Sequence, residues 1–193
     1  TVPVCLCGGK SLNDVFAQMT RYRRHIKPQC VAEEKLPAIY NEYMHYSWDD
    51  PNAERVKLTA PYVAEAGCKY YVVDCGWHDP KDITRPLGMY PKFGTWYEDK
   101  SRFPDGIRSI TEYVRSLGMK FGLWVEPEMV NEDSNLYRAH PEWAVKIPGR
   151  AHGEGRNQML LDLTRKEVQD FIIEAMKNVF SSGNISYVKW DMN

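Results

Sequence analysis

Between Pro37 and Asn193, apolar strand-like runs alternate with helical patterns, and this alternation restricts the fold more than any other feature of the chain. The first run is LPAIYNEYMHY. A helix over roughly residues 52 to 66 follows, with Asp50 and Pro51 as start signals and Gly67 as its stop. The second run, KYYVVD (69 to 74), leads through a long connection to a helix from about Pro104 to Leu117 that ends at Gly118; Ile107, Ile110, Val114 and Leu117 give it one apolar face. MKFGLWV (119 to 125) and the terminal ISYVKWDMN are the third and fourth runs. Between them a helix is predicted from Thr164, where Thr164 and Glu167 form a capping-box pattern ahead of Val168, Ile172, Met176 and Val179. Strands separated by helices pair in parallel through right-handed crossovers, so the expected class is α/β, either a barrel or a doubly wound sheet.

The connections after the second and third strands, roughly residues 75 to 103 and 126 to 163, are long, with only a short helix expected near Ser134 to His140. Such loops are uncommon in compact domains unless functional, and these follow the carboxyl ends of strands, where barrel enzymes build their sites. Residues 1 to 36 read differently: an apolar, Gly-containing opening precedes a connecting helix in which Leu12, Val15, Phe16 and Met19 recur at helical spacing. The net charge of -1, with acids and bases interspersed, leaves no electrostatic footprint for nucleic acid or an anionic membrane, and a neutral small molecule is the expected partner. Cys5, Cys7, Cys30, Cys68 and Cys75 form an odd set without metal-type pairs, which reads as a reduced, cytoplasmic compartment. No secretion signal and no apolar run near ~18 residues is visible, but the opening at Thr1 without a methionine reads as a piece of a longer protein.

Alternation along the last strand sends Lys189, Asp191 and Asn193 to one face and Trp190 and Met192 to the other. Asp74 closes the second strand. Trp124, Glu126 and Glu128 share a face if the third strand stays extended, although Pro127 argues that it ends there. Polar residues at three strand ends, with Trp77, Trp96 and Trp124 nearby, suggest a cup with apolar walls and few polar hooks, the composition a sugar site requires. Each feature also has a plainer reading. Strand-end carboxylates often cap the next helix, Lys189 can be a simple ion-pair partner, tryptophans are usually core, and Glu126 and Glu128 can be solvated loop acids. His78, His140 and His152 lack metal-site spacing and read as surface or supporting groups. No metal or cofactor requirement is visible, and phosphate-binding loops and serine-hydrolase elbows are absent.

The strings KFGLWVEPEMVNEDSNLYRAHPEW, RNQMLLDL and YVKWDMN, in this order and spacing, resemble those of family 36 glycoside hydrolases, the melibiases. The resemblance runs from about Ser11 to Asn193. It implies the amino-terminal half of a (β/α)8 barrel over residues 37 to 193, with residues 1 to 36 as the tail and linker of a preceding β-sandwich domain. It also implies hydrolysis of terminal α-galactosides with retention, Asp191 as nucleophile, and a sugar-binding set of Asp74, Cys75, Trp124, Arg156, Lys189 and Asn193. The acid/base of the family lies on a later strand, beyond Asn193, so the isolated piece is expected to be inactive. The family allows a homo-oligomer of the complete enzyme.

Two departures bear on substrate. Where the family usually has two adjacent aspartates before Gly-Trp, this chain has VDCGWHD, with the weakly accepting thiol of Cys75 in the second place. In the first strand, IYNEYMHYSW keeps only Asn41 of an Asn-x-Trp-Glu pattern. An α-N-acetylgalactosaminidase of the same family, or a non-catalytic sugar-binding fragment, are the alternatives these departures leave open.

Overall fold

The computed structural model of the chain describes residues 6–26, 35–78, 94, 96–150 and 157–191, in two compact units, Thr1–Leu36 and Pro37–Asn193. In the first, helix α1 (Leu12–Ile26) starts where Ser11 Oγ accepts the Asp14 N–H at 3.2 Å, and it ends in Arg23, Arg24 and His25, which complement the helix dipole. Its apolar residues Leu12, Phe16 and Met19 are exposed.

The second unit contains strands β1 (Ile39–Asn41), β2 (Tyr70–Val73), β3 (Lys120–Val125), β4 (Met129–Val130), β5 (Met159–Leu160) and β6 (Ile185–Trp190). Four of them form one parallel sheet in the order β1-β2-β3-β6, and α2 (Ala53–Glu65), α3 (Gly106–Ser116) and α5 (Lys166–Ser182) lie in its crossovers. The α/β expectation is met. Gly67 (φ 86°) and Gly118 (φ 81°) end α2 and α3 in the left-handed region, where a side chain is disfavoured. Pro61 inside α2 removes a donor to the Lys57 carbonyl, and the Tyr113 hydroxyl of α3 donates to that oxygen instead, at 3.2 Å.

The helices bury their apolar stripes against one face of the sheet. Tyr71 and Val73 of β2 and Phe121, Leu123 and Val125 of β3 share a single core with Val56, Ile110, Val114, Val168 and Ile172. Opposite lies the face of Val72, Gly122 and Tyr187, paired across β2, β3 and β6. The pairing of β3 with β6 shifts between Phe121 and Gly122: Ile185 faces Phe121 but Tyr187 faces Gly122, so Ser186 is a one-residue bulge. A slip of one residue exchanges the faces of everything that follows, and after this one Lys189 stands beside Trp124, and Trp190 beside Val125.

Three local expectations are corrected. The first run is extended only over Ile39–Asn41, because the Asn41 side-chain oxygen takes the Tyr43 N–H at 3.1 Å and the chain then turns through a π-helical segment, Tyr43–Ser47. No capping box forms at Thr164, whose N–H and hydroxyl both donate to Asp162 Oδ1, at 3.0 and 2.6 Å; α5 starts at Lys166, and Glu167 pairs with Arg165. The connection from 126 to 163 is not all loop: besides α4 (Asn135–Ala139), capped by Ser134, it holds the antiparallel pair β4-β5.

Candidate active site

The side chains of interest stand at the carboxyl ends of the sheet strands, on the face that the helices leave uncovered. Asp74, only 2% exposed, is the hub. Its Oδ2 accepts from Asn41 Nδ2 at 2.5 Å and from Lys189 Nζ at 2.8 Å, its Oδ1 accepts the Cys75 N–H at 2.9 Å, and its own N–H donates to Glu42 Oε1 at 2.9 Å. Burial pulls the Lys189 ammonium down, but the hydrogen bond and charge of Asp74, followed by the charge of Asp191, outweigh it, and the pKa is raised. The cation is therefore held on Asp74. Burial pushes Glu42 up to about 7, against the pull of the Ser47 hydroxyl and the Asp74 N–H.

Asp191 follows β6 directly. Its N–H continues the ladder to the Val125 carbonyl at 2.9 Å, and its Oδ2 accepts from Trp124 Nε1 at 3.1 Å. Trp124 is held in turn: Trp77 Nε1 donates to its carbonyl at 2.8 Å, and Trp96 and His78 lie against it with ring centroids 6.3 and 6.4 Å away. Such a frame leaves the indole N–H with one direction, toward Asp191.

Asp74, Trp124, Lys189 and Asp191 thus come together, with Cys75 beside them. Arg156, Asn193 and His152 lie outside the described residues. Lys189 donates to Asp74 rather than closing on Asp191. The solvated reading of Glu126 and Glu128 is overturned, because both are buried, and Glu128 Oε2 accepts from Trp190 Nε1 at 2.9 Å, on the face away from Asp191. His78 is buried in the aromatic nest, whereas His140 stacks on Trp143 beside Glu142. Sequence reasoning missed Glu42 and Asp49, which reach this cluster from the turn after β1. The signal available was, for Glu42, its position immediately after a strand end; Asp49 lies beyond the π-helical segment, where turn residues mask the periodicity. Among the described residues no group of three or more His, Cys, Asp or Glu is placed to hold a metal ion.

A family model described as Melibiase matches residues 3–193. The chain belongs to the melibiase family. The α-galactosidase AgaA of Geobacillus stearothermophilus is 39% identical to it over 172 residues, 89% of this chain and 23% of that protein. A crystal structure of the same enzyme superposes with a TM-score of 0.84 at 37% identity, covering 96% of this melibiase chain and 25% of the other, and a structure in complex with stachyose gives 0.78 at 38%, covering 89% and 23%. The chain therefore spans about a quarter of the length of these relatives.

Proposed function

We propose that this melibiase chain supplies the first four strands of a (β/α)8 catalytic barrel in a retaining α-galactosidase, with Asp191 as nucleophile. The barrel reading rests on the helices sharing one face while polar residues gather on the other at the carboxyl strand ends; a doubly wound sheet carries helices on both faces. The substrate reading rests on relatives named α-galactosidases, one of them crystallised with stachyose. The observation that carries the mechanism is the pairing of Asp191 with Trp124 Nε1 next to the Lys189–Asp74 ion pair.

In this reading the Asp191 carboxylate attacks the anomeric carbon as the bond to the leaving oxygen breaks, and an acid about 5 to 5.5 Å away, on a segment outside this chain, protonates that oxygen. Water then releases the sugar from the ester, giving its proton to the same acid. The nearby Lys189 ammonium favours the negative charge of Asp191, and Trp124 fixes one of its oxygens. Asp74 and Lys189 take hydroxyls of the galactosyl ring, with Arg156 and Asn193 completing the contacts. Two carboxylates suffice, so no cofactor is required.

Asp191→Ala in the full-length enzyme is expected to lower turnover of an aryl α-galactoside by several orders of magnitude with the fold intact, since no neighbour replaces a covalent nucleophile. Azide should restore part of the rate and yield the inverted galactosyl azide. Near-normal activity of this variant would remove Asp191 from the role.

A further inference from the structure

Two consecutive aspartates, Asp49 and Asp50, follow the π-helical turn after β1, and their surroundings differ sharply. Asp50 takes the cations: Arg55 at 3.0 Å and Arg102 at 3.3 Å. The Asp49 carboxylate forms no ion pair among the described residues. Its Oδ1 instead accepts from the Cys75 thiol at 3.0 Å. Burial, then the hydrogen bond and charge of Asp49, push the Cys75 thiol up, so it stays protonated and donates.

The backbone around Asp49 is built to hold it there. Trp48 lies in the left-handed region (φ 49°), unusual for a bulky residue, and turns the chain back toward β2. The Asp49 carbonyl accepts from Arg102 Nη1 at 2.8 Å, and a Cβ at Gly76 (φ 97°) would stand 2.3 Å from that carbonyl oxygen, so only glycine allows the approach. The Arg102 guanidinium also donates to the Gly76 carbonyl. Asp49 is thus clamped by its main chain while its half-buried carboxylate meets, among the described residues, the neutral thiol of Cys75, one residue along from Asp74. A carboxylate so placed has acceptor capacity left for neutral hydroxyl donors.

We infer that Asp49 is a specificity-determining residue that accepts a hydrogen bond from a hydroxyl of the terminal sugar, and that Cys75 is the neutral neighbour that lets its carboxylate sit beside Asp74. The inference rests on the glycosidase reading above. A carboxylate at position 75 would set a second negative charge about 3 Å from Asp49, and two such groups cannot both stay ionised. The acceptor that the strand end lacks at Cys75 is supplied from the neighbouring strand's turn.

The test uses the full-length enzyme with aryl α-galactoside and its four monodeoxy analogues. Asp49→Asn is expected to reduce kcat/KM on the parent substrate by about 10- to 100-fold, the loss of one charge-assisted hydrogen bond. On the one analogue lacking the hydroxyl that Asp49 receives, the same substitution should cost less than about 3-fold. Cys75→Asp should lose activity, and Asp49→Asn in the same chain should recover part of it. An equal penalty on all five substrates, or none on any, overturns the inference, as does a Cys75→Asp enzyme that outperforms wild type. Wild type inactive on every α-galactoside would instead bring down the underlying glycosidase reading, and this one with it.

Discussion

At the scale of single residues, the site works by giving each carboxylate a different environment. Asp74 is buried but met by a cation and an amide, Asp191 accepts from an indole N–H, and Glu42 is buried with an N–H and, among the described residues, no ion pair. That last arrangement has a thermodynamic consequence. Burial raises Glu42 from its ordinary 4.5 to about 7, so between these values the folded chain keeps a proton that the unfolded chain releases. Stability is therefore greatest below about 4.5 as far as this group is concerned, falls as pH rises to about 7, and is level above, by up to roughly 3 kcal/mol. Glu42→Gln in the full-length protein should flatten the dependence of Tm on pH across this window, because glutamine can still accept the Asp74 N–H without titrating. Equal slopes for wild type and variant would show that Glu42 is ionised throughout. Lys189 and Asp191 were legible together because a period of two at a strand end sets them on one face, whereas their grouping with Asp74 and Trp124 came from the family resemblance. Glu42 and Asp49 were not, since they follow a strand only three residues long and reach the cluster through a turn whose geometry depends on the Asn41 side chain.

At the scale of elements, position in the sheet depends on a close approach at Gly122. A Cβ there would meet Val72 Cγ2 at 2.9 Å and Tyr187 Cδ1 at 3.0 Å, on the face that carries the site. Gly122→Ala should cost about 1 to 3 kcal/mol, the usual range for overpacking, and should also lower kcat by displacing Trp124 and Lys189, two residues further along their strands. Denaturant melts with unchanged m-value, set beside single-turnover rates, would check both; a variant as stable and active as wild type would mean that Tyr187 moves aside freely. The alternation of strands and helices was readable because each buried stripe repeats at its own period: Val168, Ile172, Met176 and Val179 are all buried. The Ser186 bulge was not, as nothing in ISYVKW marks an extra residue. The capping box at Thr164 failed for a local reason, since Asp162 offers the threonine a better-placed acceptor in the preceding turn.

At the scale of the whole molecule, the Pro37–Asn193 unit has an unfinished side. Val188 (37% exposed) and Trp190 (47%) of β6 point to the helix-bearing face and stay partly exposed, and among the described residues β6 is the last strand of its sheet. A groove of about 790 Å³ reaches Trp190, its mostly apolar lining of Met129, Leu160, Leu163, Ile172 and Ile173 interrupted by Glu128 and Gln169. Exposed apolar surface beside an open strand edge is what a partner strand and helix cover when a barrel closes. Under the barrel proposal, the 193-residue chain alone should melt broadly, bind a hydrophobic dye and show no turnover, whereas the full-length enzyme melts cooperatively. A sharper test lies in Ile173, half exposed on α5. In the isolated chain a charge there costs little, because water solvates it, so Ile173→Glu should leave the midpoint of its broad transition nearly unchanged and should improve solubility. In the full-length enzyme the same glutamate would be buried without a partner, at a cost of about 2 kcal/mol or more. Matched denaturation curves for the two proteins, each with and without the substitution, decide the matter: equal small effects in both would mean that this face meets solvent in the complete enzyme, and that the sheet does not close over it.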